Sequence, residues 1–92
     1  MEKEKNDSTL KKQIELNRLI YQSWHRGCKE TDILLGDFAK SEITKLSPAE
    51  LEIYSELIEE NDWDIYEWIL NETSEIPTKY NEIIVKIRNF NT

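Results

Sequence analysis

The residues best able to do chemistry crowd into one octet, His25-Arg26-Gly27-Cys28-Lys29-Glu30-Thr31-Asp32. It holds the only histidine, the only cysteine and one of the two glycines of the 92-residue chain. Three chemistries suggest themselves. His25 with Cys28 has the residue types of a base and a nucleophile, or of two metal ligands. Glu30 with Asp32 has those of an acid and base pair. Arg26 with Glu30, four apart, has the spacing of an ion pair on one helix face. Each has a plainer rival. Two ligands are too few for a structural metal site, and a Cys/His dyad still needs an orienting group and an oxyanion hole. Residues two apart on a helix do not face each other, so Glu30 and Asp32 cannot flank a substrate bond together. An exposed Arg26–Glu30 pair is worth about 0–1 kcal/mol. The octet therefore reads as a charged corner rather than a catalytic centre.

The elements on either side must hold that corner. Leu16, Leu19, Ile20 and Trp24 recur at helical spacing, which predicts an amphipathic helix that runs to about Arg26 and is stopped by Gly27. Ser8 or Thr9 is its candidate cap, and Arg26 is expected outward or near its C-terminal end, where a cation is favoured. Glu30 and Asp32 fall in the first turn of a second helix, which should run from about Lys29 to Leu46 and bury Leu35, Phe38, Ala39, Ile43 and Leu46. Gly36 inside it costs about 1 kcal/mol against Ala, which calls for a bend or the close approach of another backbone. Ser47-Pro48-Ala49-Glu50 combines an N-cap, a first-turn proline and a Glu at N3, the clearest helix start in the chain.

Downstream, Leu51, Tyr54, Leu57 and Ile58 mark the inner face of a third helix. Asn61 and Asp62 begin a short fourth, with Ile65, Trp68 and Ile69 as its stripe. Trp68 is expected in the core and Trp63 outside it. Residues 71–77 read as a turn region, and Tyr80, Ile83, Ile84 and Ile87 form the strictest stripe, on a fifth helix that Phe90 extends. No stretch alternates with period two for long enough to argue a strand. The expectation is an all-α fold, a compact single-domain bundle of five short helices over residues 9–92, preceded by a solvated tail over residues 1–8.

Arg26-Gly27-x-x-Glu30-x-Asp32 follows a helix ending in an aromatic and precedes Ile33-Leu34-Leu35 and Phe38. Farther on come Leu46-Ser47-Pro48-Ala49-Glu50, Asp64-Ile65-Tyr66-Glu67-Trp68-Ile69 and a last helix near Glu82 to Arg88. In this order, in a chain of this size, the pattern resembles the SdhE family, small FAD assembly factors of succinate dehydrogenase that carry an RGxxE signature. The resemblance covers all but about the first ten residues and implies the same helical fold. It also implies a non-enzymatic chaperone. Its client is the flavoprotein subunit of succinate dehydrogenase, with fumarate reductase as an alternative client, and it promotes covalent attachment of FAD to a histidine of that subunit. Carried onto this sequence, the partner-binding residues are Arg26, Gly27, Cys28, Lys29, Glu30 and Asp32. No catalytic residue and no metal ligand is expected. FAD is attached to the client and not held stably here, since the chain has no Gly-rich phosphate loop and the wrong charge for a pyrophosphate.

Size and charge agree with a surface function. A domain this small buries only about 60% of the surface its unfolded chain exposes, which leaves little core for an enclosed site. The formal charge is −7, unevenly spread: residues 1–30 carry seven basic and five acidic side chains, residues 31–92 five and fourteen. No Lys or Arg occurs between Lys45 and Lys79. Such a field repels phosphate backbones and anionic membranes, so neither nucleic acid nor membrane is an expected partner. The alternative reading, a small helix-turn-helix nucleic-acid binder spanning residues 9–46, lacks the basic second helix it would need. One cysteine precludes an internal disulfide, and the first residues lack the apolar core of a signal peptide and the arginine-rich character of a transit peptide. The expected location is the cytoplasm, of a bacterium or with the chain as a trimmed organellar form, and the expected state is a monomer.

Overall fold

A long stretch of regular spacing at the N-terminal end becomes helix α1, Glu2–Trp24. The computed structural model describes the backbone of residues 2–91 and the side chains of residues 10–91. Within α1, Leu16 and Leu19 are buried and Ile20 and Trp24 half-buried, as their spacing predicts. Ser8 and Thr9 lie inside the helix rather than capping it, and the expected tail boundary at residue 8 falls within it too. The helix stops at Trp24, two residues short of the predicted end, which takes Arg26 out of the helix and into the corner.

Helix α2, Lys29–Glu42, continues into a 3-10 turn, Ile43–Lys45, so the predicted second helix tightens in its last turn. Leu35, Phe38, Ala39, Ile43 and Leu46 are all buried. Gly36 is where α2 receives a side chain of α1: a Cβ built there would run into the indole of Trp24. The neighbour at this glycine, where a bend or a second backbone was expected, is a side chain.

Helix α3, Pro48–Leu57, opens with a complete capping box. The Glu50 N–H donates to Ser47 Oγ at 3.2 Å and the Ser47 N–H to Glu50 Oε1 at 2.9 Å. That backbone hydrogen bond is the main cause holding the Glu50 carboxyl below its ordinary range. Helix α4, Asp62–Leu70, starts on Asn61, whose side chain accepts from the Trp63 N–H at 2.8 Å. After the turn region comes a 3-10 turn, Thr78–Tyr80, that runs into α5, Asn81–Phe90. Tyr80, Ile83, Ile84 and Ile87 from this last segment are buried, and Phe90 packs edge-on against Phe38 at 5.8 Å between ring centroids.

The five helices enclose one core, and among the described residues there is no strand. Polar side chains inside it are satisfied. Ser23 donates to the Leu19 carbonyl at 2.7 Å, the Tyr54 phenol donates its one proton to Ser23 Oγ at 2.5 Å, and the phenol oxygen also lies 3.3 Å from the Leu35 carbonyl, so one phenol ties α3 to both α1 and α2. Arg88 closes the opposite end by donating to the Trp68 and Ile69 carbonyls at the end of α4. None of the described helices is long and apolar enough to cross a membrane.

Candidate functional site

The corner between α1 and α2 is residues 25–28, and its shape follows from one glycine. Gly27 has φ +103°, the only positive φ among the described residues, and a Cβ placed on it would meet nothing within 4 Å. The glycine is there for the backbone conformation rather than for want of room.

Arg26 anchors the corner from beneath. Its Nε–H donates to Asp62 Oδ1 at 2.7 Å and its Nη2–H to the Glu60 carbonyl at 2.6 Å, so the guanidinium joins the start of α4 to the turn that follows α3. The side chain is only 11% exposed. This corrects two expectations: Arg26 does not point outward, and its ion-pair partner is Asp62, not Glu30. The physical reason is that Arg26 lies outside both helices, so four-residue helical spacing does not apply to it. Thr31, fully buried, donates to the Asp62 carbonyl at 3.5 Å and adds a second tie from α2 to α4. Glu60 in turn accepts from the Tyr80 hydroxyl at 2.7 Å, which continues the network to the start of α5.

Asp32 also works inward. Its Oδ1 accepts from the Arg26 N–H at 2.7 Å, bridging the corner from the first turn of α2. Arg26 and Asp32 are thus half-buried braces, while Gly27, Lys29 and Glu30 are exposed and Cys28 is half-buried. The Glu30 carboxylate has one contact, the Cys28 thiol donating to Oε2 at 3.5 Å. Glu30 and Asp32 do not act as a pair, one being turned to solvent and the other to the backbone behind it.

His25 is stacked on Tyr21 at 4.0 Å between centroids, with Nδ1 2.8 Å from the Tyr21 carbonyl oxygen. A carbonyl only accepts, so Nδ1 carries the proton and is committed to the backbone, not to the thiol. Among the described residues no group of three or more His, Cys, Asp or Glu is placed to hold a metal ion. What the corner offers is a rigid projecting turn that presents a carboxylate, an ammonium and a bare stretch of backbone.

Residues 17–91 match the family described as flavinator of succinate dehydrogenase. The chain belongs to this family. Among proteins similar to this one is succinate dehydrogenase assembly factor 2, mitochondrial, of Candida glabrata, 42% identical over 89 residues, which are 92% of this chain and 56% of that protein. The protein of the same name from Saccharomyces cerevisiae is 49% identical over 65 residues, 68% of this chain and 40% of its own length. That of Komagataella phaffii is 40% identical over 79 residues, 82% of this chain and 42% of that protein. The chain spans about half the length of the curated relatives it matches, or less. Membership of the flavinator family agrees with the resemblance carried by the Arg26 to Asp32 motif and the segments that follow it, and with the helical fold.

The cytoplasmic expectation is corrected by these relatives of the flavinator family, all of which are named as mitochondrial. It rested on the composition of the first residues, and that composition carries no address in a sequence that spans only part of its relatives' length.

Sequence reasoning missed Asp62, Glu60 and Thr31 as parts of the corner. Asp62 was legible only as a first-turn acid of α4, since nothing local announces a partner 36 residues away.

Proposed function

We propose that the chain sets its α1–α2 corner against the flavoprotein subunit of succinate dehydrogenase and promotes covalent attachment of FAD to a histidine of that subunit, leaving the bond-making chemistry to the client. Membership of the flavinator family and the name its relatives carry, succinate dehydrogenase assembly factor 2, support the assembly role. The observation that carries the site is the division of labour within the octet: Arg26 and Asp32 brace the turn from inside, and Lys29 and Glu30 project from it. A braced turn presents its charges in fixed positions, and a partner that holds a mobile client domain in near-attack geometry can lower the barrier by several kcal/mol without touching the reacting atoms. Gly27, with no side chain and open space above it, lets the client approach the backbone of the turn.

Glu30→Ala tests this reading. Its side chain is exposed and makes one weak contact, so the variant should melt within about 1 kcal/mol of the parent. A charge-assisted contact buried at an interface costs about 2–5 kcal/mol when one partner is truncated, so covalent flavin per mole of co-expressed flavoprotein subunit should fall. In-gel flavin fluorescence reads the result. Unchanged flavin content would remove Glu30 from the interface, and a collapsed melt would make it a structural residue only.

A further inference from the structure

Beside Glu30, helices α2 and α4 leave an apolar groove of about 250 Å³ that the corner does not account for. Glu30, Ile33, Leu34, Tyr66 and Leu70 line it. Ile33 is 45% and Leu70 52% exposed, and the ridge of α4 continues to Trp63, 74% exposed, whose ring meets Tyr66 edge-on at 6.1 Å. Trp63, Tyr66 and Leu70 recur at i, i+3 and i+7 on the side of α4 turned away from the buried Ile65 and Ile69. Two exposed apolar side chains, Trp63 and Leu70, flanking the half-buried Tyr66 on one ridge beside a charged turn are what an interface centre rimmed by polar groups requires.

The charges narrow the occupant. On α2 the charged residue that lines the groove is Glu30, while helical geometry puts Asp37 one turn on from Ile33 and Leu34 and sets Lys29 and Lys40 along the edge of Ile33 away from Leu34. On α4 the charged residues are Asp62, Asp64 and Glu67, all acidic, and Asp62 is already paired with Arg26. An occupant therefore needs apolar side chains for the floor and Lys or Arg at its edges. A second copy of this chain is a poor match, because its formal charge of −7 makes two copies repel. An anionic lipid surface is disfavoured for the same reason.

We propose that this groove seats a segment of the client flavoprotein, apolar along its centre and basic at its flanks, and that Glu30 is the point where groove and corner meet. The inference rests on the function proposed above and adds a second, apolar anchor to it. Two anchors at an angle would fix the orientation of the client, which a single charged turn does not.

The test is calorimetric titration of the succinate dehydrogenase flavoprotein subunit, expressed without its partner subunits, into the parent chain and into Trp63→Ala, Leu70→Ser and Glu30→Ala. Val85→Ser, at an exposed apolar residue of α5, is the control. Truncating a buried aromatic or aliphatic anchor weakens binding by about ten- to a hundredfold. Trp63→Ala and Leu70→Ser should show that loss, binding should weaken further as salt is raised, and Val85→Ser should bind like the parent. Thermal melts accompany each variant; if Leu70→Ser melts early, Trp63→Ala decides, since its side chain lies almost wholly outside the core. Parent-like binding by both groove variants, with Glu30→Ala weakened, would overturn the groove and leave the proposed function standing. No binding by the parent chain would overturn both. A dimer of the chain in sedimentation that Trp63→Ala abolishes, or cosedimentation with neutral phosphatidylcholine vesicles lost in the same variant, would give the groove to another occupant and overturn the proposal.

Discussion

The Arg26 Nε lies 2.7 Å from Asp62 Oδ1, joining the turn after α1 to the first residue of α4 across 36 positions of sequence. Both side chains are largely covered, and the guanidinium also holds the Glu60 carbonyl. The corner is thereby attached to α4 and to the turn before it instead of hanging only from its own two helices.

Arg26→Ala should destabilise the fold by about 1–3 kcal/mol, because it leaves the Asp62 carboxylate and the Glu60 carbonyl without their donor. Asp62→Ala should cost less, since Arg26 keeps the carbonyl. A double-mutant cycle followed by urea unfolding should return a coupling of about 0.5–3 kcal/mol. Additive effects would show that the pair contributes geometry and no net energy.

At Gly27, φ +103° and the open space around it separate two effects that a substitution usually confounds. Gly27→Ala should lose about 1–3 kcal/mol through backbone strain alone, with no clash to relieve. Client binding should fall by more than the stability loss explains, because a Cβ would stand on the face offered to the partner. Equal melting temperatures for the two proteins would refute the strain argument.

Gly36→Ala sets helix propensity against packing. Alanine is worth about 1 kcal/mol over glycine within a helix, but its Cβ would overlap the Trp24 indole, and overpacking of this kind costs about 1–3 kcal/mol. The clash should win, giving a net loss with a changed tryptophan emission as Trp24 is displaced. Trp24→Ala in the same chain should turn Gly36→Ala from harmful to neutral or helpful.

Alkaline pH should weaken the fold through two phenols. Burial raises Tyr54 above the ordinary tyrosine range, and burial with the Glu60 carboxylate raises Tyr80. A group whose folded pKa is raised keeps its full contribution below the unfolded value and loses it as pH climbs towards the folded one. Stability should therefore hold up to about pH 10 and fall above it, as the unfolded chain ionises first. Urea melts from pH 8 to 11.5 check this, and a decline just as steep in Tyr54→Phe and Tyr80→Phe would assign it to other groups.

The amino-acid sequence by itself determined the elements. Helical stripes such as Tyr80-Ile83-Ile84-Ile87 and the capping box at Ser47 act within one or two turns, so their outcome is settled by residues a few positions apart. The helix stop at Gly27 was legible for the same reason, and the flavinator family was legible from short motifs taken in order, from the Arg26-Gly27-x-x-Glu30-x-Asp32 corner through Leu46 to Glu50 to the last helix. Tertiary structure alone decided the partners. Four-residue spacing suggested Glu30 for Arg26, but α1 ends at Trp24, and the guanidinium reaches Asp62 because the packing of α4 against α2 brings that carboxylate beneath the turn. The tryptophan over Gly36, the phenol shared by Ser23 and Leu35, and the groove that joins Ile33 to Leu70 are likewise products of how helices dock. Docking is chosen by the summed burial of many side chains at once, and no local pattern encodes which distant residue a given side chain will meet.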